Sequence, residues 1–196
     1  MVFERNMSTA KREVQLDHFH RDRVHYVPSD WLDLWRVLRK QSIGKGDVFV
    51  DFGSGKGRIL YQAARYPFER VIGVEICEEL NQAARANLDA TAGKLACKRI
   101  DLVTIDAADY PIPPDMTVAY FYHPFSGPTF KMVIDRIVES VNSHPRHLTV
   151  IYQCPAMEEY VLATGVFELV RTAKGKPSDS GRIAVYEHHP GHVSQY

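Results

Sequence analysis

The chain has no excess of charge of either sign. Lys plus Arg number 24, as do Asp plus Glu, in 196 residues. A dedicated nucleic-acid binder usually carries a basic excess, so this balance disfavours nucleic acid as the principal partner while leaving a local basic patch open. Long apolar runs are also missing. None approaches the roughly 18 residues of a membrane span, and nothing resembles a secretory leader. These absences predict a cytoplasmic protein that does not enter a membrane. Cysteine is scarce: Cys77, Cys97 and Cys154 are an odd number at wide spacing. That pattern fits thiols in a reducing compartment better than a disulfide framework. There is no internal repeat and no low-complexity tract.

What is present is a chain that is 45% hydrophobic, ordinary for one domain with a real core. The first 25 or so residues are polar and mixed in charge, which predicts an arm or lid at 1–25. Lys11, Arg12, Arg21 and Arg23 alternate with Glu13, Asp17 and Asp22, a solvated face and not a basic arm. Ser29 is a candidate N-cap, and Trp31, Leu34, Trp35 and Leu38 recur at helical spacing. This predicts a helix running towards Gly44 with both tryptophans in the core.

Strand and helix signals then alternate. Strands are expected at 48–52, 71–76, 100–105, 117–122 and 148–153, with helices after Gly57 and at 78–88, 129–141 and 157–163. The last two strands, 166–172 and 182–187, are separated by a turn too short for a crossover helix, so they must be antiparallel to each other. Alternation of this kind predicts a three-layer α/β/α sandwich around a mostly parallel sheet.

The most informative stretch is 48–58, Val-Phe-Val-Asp-Phe-Gly-Ser-Gly-Lys-Gly-Arg. An apolar strand ends at Asp51, and glycines follow at Gly53, Gly55 and Gly57. Such a turn lets a ligand lie against bare backbone. A phosphate-cradling P-loop is excluded, because no Gly-Lys-Ser/Thr stands at the required spacing. The dinucleotide pattern G-x-G-x-x-G would need a small residue where Arg58 stands. An NAD-dependent oxidoreductase therefore fails on Arg58 and on the closing hairpin. Other marked residues sit at the ends of expected strands: Glu75 on the second, Asp106 and Ala107 on the third, and Tyr122-His123-Pro124-Phe125 on the fourth. In open α/β sheets ligands lie outside the carboxyl ends of the strands.

Asp51-x-Gly53-x-Gly55-x-Gly57 resembles motif I of the class I S-adenosylmethionine-dependent methyltransferases. The resemblance covers about 26–188 and implies a Rossmann-like seven-stranded sheet in the order 3-2-1-4-5-7-6, with strand 7 antiparallel. It implies S-adenosyl-L-methionine as cofactor. Gly53, Ser54, Gly55 and Gly57 would bear its amino-acid end, with Asp51 favouring the ammonium group. Glu75 would accept from the ribose hydroxyls, Asp106 and the Ala107 backbone would read the adenine, and Ile76 would flank it. Tyr26-Val27-Pro28-Ser29 is similar to an element preceding the fold in methyltransferases related to the disruptor-of-telomeric-silencing histone lysine enzymes. There it covers the cofactor, which makes Tyr26 a candidate contact.

Tyr122-His123-Pro124-Phe125 takes the place of the Asn/Asp-Pro-Pro-Tyr/Phe element of many amino-group methyltransferases. Tyr122, His123 and Phe125 are the candidate catalytic residues. An imidazole accepts a proton near neutral pH, as an amide does not, so both nitrogen and oxygen acceptors stay open, on a protein, a peptide or a small molecule. Plainer readings stand beside these: a tight strand-to-helix connection for the glycines, a helix-dipole acid for Glu75, a turn residue for Asp106 and a structural histidine for His123. The alternative function is a cofactor-binding but catalytically inactive partner or regulatory protein. His188, His189 and His192 invite a metal reading, but the expectation is a solvated tail at 189–196 and no metal.

Overall fold

The protein is described by a computed structural model over residues 31–39, 41–122, 125, 127–175 and 181–191. The expected arm, and with it Tyr26 and Ser29, lies outside the described residues, as does His123.

The apolar runs become strands because they can be covered on both sides. Strand β1 (Val48–Phe52) is buried at all five positions and β5 (Leu148–Gln153) at all six. With β2 (Arg70–Glu75), β3 (Ile100–Thr104), β4 (Val118–Tyr122), β6 (Glu168–Lys174) and β7 (Arg182–His188) they form one sheet in the order β3-β2-β1-β4-β5-β7-β6. The first five pair in parallel, and β7 runs antiparallel to both β5 and β6. The order, the antiparallel seventh strand and the closing hairpin all match the sequence expectation. Strand β3 is at an edge and is only partly covered, so it ends one residue earlier than its apolar run suggests.

Side chains of a strand alternate between faces, and each face has its own core. Val48, Val50, Phe52, Phe121, Val150 and Tyr152 pack on one side, with α4 (Gly127–Ser143) contributing Phe130, Val133, Ile134 and Ile137. Its aromatics interlock: Phe52 stacks on Phe121 at 4.9 Å, and Phe130 on Tyr152 at 4.9 Å. Phe49, Tyr120, Ile151 and Val185 face the other way, against α1 (Asp33–Leu38) and α2 (Arg58–Ala64), with Leu88 of α3 (Glu78–Asp89) in the same cluster. A short helix α5 (Glu158–Ala163) precedes the hairpin.

Helix α1 differs from its expectation. It stops at Leu38, and its buried face is Asp33, Leu34, Val37 and Leu38. Trp35 is 49% exposed, with the Arg39 guanidinium 5.0 Å from its ring. The face has turned because Asp33, fully buried, is drawn inward by the hydrogen bonds described below. Trp31 is half-buried and lies under the Arg58 guanidinium at 4.8 Å. The arginine that breaks the dinucleotide pattern thus packs the start of α2 against the segment before α1.

Because β1 has β2 on one side and β4 on the other, the direction of winding reverses there. That opens a crevice at the carboxyl ends of these strands. One glycine missed in the sequence shapes the floor beneath it. A Cβ on Gly73, in the middle of β2, would stand 2.5 Å from Leu60 Cδ1 and 2.8 Å from Ser54 Oγ. Gly73→Ala is therefore expected to cost about 1–3 kcal/mol by overpacking, read as a lower midpoint of thermal unfolding. An unchanged midpoint would contradict the close seating of α2 on β2.

Candidate functional site

The turn after β1 is held by backbone and by one carboxylate. Val74 O, at the end of β2, accepts from Gly53 N at 2.8 Å and Ser54 N at 3.1 Å. Glu75 Oε2 accepts from Gly55 N at 2.9 Å, while Glu75 Oε1 accepts from Ile76 N and Cys77 N, each at 3.0 Å. One buried side chain thereby joins the glycine turn to the start of α3. Asn87 of α3 adds a bond from Nδ2 to Lys56 O at 3.1 Å. Gly53, Gly55 and Gly57 have φ of 88°, 52° and 77°, the left-handed region that glycine enters without steric cost. At Gly57 a Cβ would also come within 3.0 Å of Ala84 Cβ, so α3 approaches the turn as closely as a bare backbone allows.

Asp51 lies on the α1/α2 side of β1 and is 2% exposed. Burial, then the negative charge of Glu75, pushes its carboxyl well above the usual carboxylate range. No hydrogen bond among the described residues offsets this, and the buried Ser54 Oγ likewise lacks a partner. A buried carboxylate without a donor is costly. A cationic ligand group at the strand end would relieve that cost, so these residues fit the amino-acid end of S-adenosylmethionine.

A buried polar chain lies alongside that no sequence motif signals. Tyr120 on β4 is in register with Asp51. Its hydroxyl donates to Gln153 Oε1 at 2.6 Å, Gln153 Nε2 donates to Asp33 Oδ2 at 2.7 Å, and Arg36 Nη1 donates to Asp33 Oδ1 at 2.5 Å. Burial, then the charges of Asp51 and Asp33, raises the Tyr120 phenol well above its ordinary value and keeps it a donor. No pattern marks these residues, since each sits inside an otherwise apolar element.

The remaining expected residues are placed as follows. Ile105 N donates to Glu75 O at 3.0 Å, which brings the end of β3 beside the turn. Asp106 Oδ1 accepts from Ala108 N at 3.1 Å, closing a local turn. Ala107 is buried and Ile76 half-buried. Tyr122, half-buried, ends β4 opposite Gln153. Phe125 is 6% exposed and packs edge-on against Phe121 at 6.3 Å and tilted against Phe130 at 6.4 Å. Its ring belongs to the aromatic core.

Residues 49–144, from β1 through the end of α4, match the family model described as a methyltransferase domain. Over these residues the chain matches a methyltransferase domain, and its seven-stranded sheet has the fold of the solved methyltransferases it resembles. The chain is similar to an RNA methyltransferase from Salinibacter ruber solved with S-adenosyl-L-homocysteine: 21% identity, 87% of this chain and 98% of that one, TM-score 0.57. It is also similar to a SAM-dependent methyltransferase from Aquifex aeolicus: 15% identity, 79% and 88% coverage, TM-score 0.60. Among curated proteins it resembles a protein-lysine N-methyltransferase from Saccharolobus islandicus (strain REY15A), 34% identical over 67 residues, which are 34% of this chain. The chain covers 42% of that relative's length. No helix among the described residues is long and apolar enough to cross a membrane.

The burial of Asp51 gives a pH signature. With its folded-state pKa raised, the ligand-free protein holds this proton more tightly than the unfolded chain. Its contribution to stability is therefore present at low pH and lost as pH rises from about 3.9, the ordinary Asp value, through the raised folded value. Asp51→Asn should remove that slope and raise ligand-free stability at neutral pH by about 1 kcal/mol or more, as an unpaired buried charge disappears. Denaturant unfolding at several pH values checks this. Equal or lower stability of the variant at neutral pH would mean that the carboxylate is already satisfied.

Proposed function

We propose that the protein transfers the methyl group of S-adenosylmethionine to an amine nitrogen of a protein or peptide. The observation that carries the cofactor half of this reading is Asp51, a buried carboxylate with no donor among the described residues, beside a glycine turn clamped by Glu75. When bound, S-adenosylmethionine supplies an electrophilic methyl on a sulfonium. The chain's share is to bind, orient and exclude water. Asp51 takes the ammonium group. The bare backbone of Gly53 to Gly57 admits the amino-acid end. Glu75 fixes the turn and accepts from the ribose hydroxyls, while Asp106, Ala107 and Ile76 face the adenine. Tyr122, which ends β4, and His123, the next residue in the sequence, meet the acceptor.

Two features support an amine on a protein. The 67-residue likeness is to a protein-lysine N-methyltransferase, and the balanced charge of the chain disfavours a polyanionic substrate. The reading is tested by incubating the protein with isotopically labelled cofactor and lysine-containing peptides, structured RNA and small amines, followed by mass spectrometry. Label on peptide lysine supports it. Label on RNA alone would overturn the acceptor class, and no label on any acceptor despite cofactor binding would favour a non-catalytic partner.

Glu75→Ala is expected to weaken S-adenosylhomocysteine binding by about ten- to a hundredfold, the loss of charge-assisted hydrogen bonds. It should also lower the unfolding midpoint, because three backbone N–H groups lose their acceptor. Calorimetry and thermal unfolding read the two effects separately. A loss of stability with intact affinity would make Glu75 a clamp only. His123→Asn tests the acceptor end. If the imidazole takes the acceptor's proton, turnover should fall by about a hundredfold or more and the acid limb of the pH–rate profile should vanish. If it only orients an amine, Asn should keep the rate.

A further inference from the structure

We propose that His147, Glu187 and His189 form a binding site for a divalent transition-metal ion, Zn2+ or Co2+, that fastens the start of β5 to the end of β7. The site is at the opposite edge of the sheet from the cofactor turn. His147 precedes β5, which runs parallel to β1 through β4, so it stands at the amino ends of the parallel strands.

Strand register creates the cluster. β5 and β7 pair with Leu148 opposite His188 and Thr149 opposite Glu187. One step further along the ladder places His147 opposite His189. Glu187 on β7 and His189, one residue past its end, are two residues apart along the extended chain, so they share a face. His188 between them goes to the other face, where its Nδ1 is 3.2 Å from Val166 O and its ring is edge-on to Phe167 at 6.3 Å. Of the histidines that crowd the tail sequence, only His189 joins the cluster among the described residues, and the second imidazole comes from a residue some forty positions earlier.

The spacing suits one ion. Glu187 Oε2 is 3.2 Å from His189 Nε2 and 3.7 Å from His147 Nε2. The three donor atoms all lie within 4.8 Å of one another. Metal–ligand bonds of about 2.0–2.1 Å at a tetrahedral angle hold donor atoms about 3.3–3.5 Å apart. The observed separations bracket that value, and rotation of exposed side chains closes the rest. Two imidazoles and one carboxylate make a donor set suited to Zn2+ and its neighbours and poor for Mg2+ or Ca2+, which prefer oxygen. The side chains of His147 and His189 are 48% and 54% exposed and that of Glu187 24%, so an ion can enter from solvent and water can complete its shell.

The test uses the full untagged chain, stripped with chelator and titrated calorimetrically with Zn2+. The visible absorption of the Co2+ adduct provides a second readout. The proposal expects one ion per chain, a higher unfolding midpoint with Zn2+, and affinity weakened by about tenfold or more in His147→Ala and in His189→Ala. His144→Ala, an exposed histidine outside the cluster, should bind as the parent does. S-adenosylhomocysteine affinity should be unchanged in all three, which separates failure here from failure of the methyltransferase reading. No stoichiometric binding, or binding that survives both cluster variants, would overturn the site and leave the three residues as surface ion pairs.

Discussion

One carboxylate organises the carboxyl edge of the sheet. Glu75 is buried and accepts from three backbone N–H groups on two separate segments, the glycine turn after β1 and the entry to α3. Backbone donors buried without acceptors would cost about 1–3 kcal/mol each, so the turn and the helix start can be enclosed only while this side chain is present. The end of β3 is then drawn in by the bond from Ile105 N to Glu75 O. Three strand ends are thus tied at a single residue. The glycines follow from the same constraint, because the turn must pass under α3 with Ala84 in contact at Gly57.

Beside this satisfied acid stands one that is not. Asp51 is buried like Glu75, feels its charge and has no donor among the described residues. The contrast separates their roles. Glu75 contributes to the fold before any ligand arrives, whereas on the proposed reading Asp51 weakens the ligand-free protein and would gain its partner from the ligand. A stabilising substitution at Asp51 would therefore be a functional loss, the usual trade at a binding site. Tyr120, Gln153 and Asp33 extend the polar strip from β4 through β5 to α1. The helix that precedes the fold is in this way fastened to the floor of the crevice by hydrogen bonds as well as by Leu34 and Leu38.

The sheet is largely legible in the sequence because its central strands are continuous apolar runs and its connections are long or short enough to force their direction. The hairpin of β6 and β7 could only be antiparallel. Asp51, Gly53 to Gly57 and Glu75 are legible for a related reason: polar or bare residues interrupt apolar strands at their ends, where they stand out. The failures occur where polarity hides inside an apolar pattern. Trp35 has the spacing of a core residue, yet Asp33 takes the inward position because Gln153 and Arg36 satisfy it. Gly73 looks like any strand residue until Leu60 and Ser54 are set above it. His147 is unremarkable until the β5–β7 register brings it to His189. Each depends on a long-range pairing, which periodicity within a segment does not contain.

On the proposed reading, Asp51 and Glu75 divide the binding of S-adenosylmethionine between them. The most direct measurement is a crystal structure of the protein with S-adenosylhomocysteine. The ligand's amino group should lie within about 3 Å of the Asp51 carboxylate, and its ribose hydroxyls should reach Glu75 while the turn keeps its left-handed glycines. A ligand bound elsewhere, or one in this crevice with its amino group away from Asp51, would contradict the account.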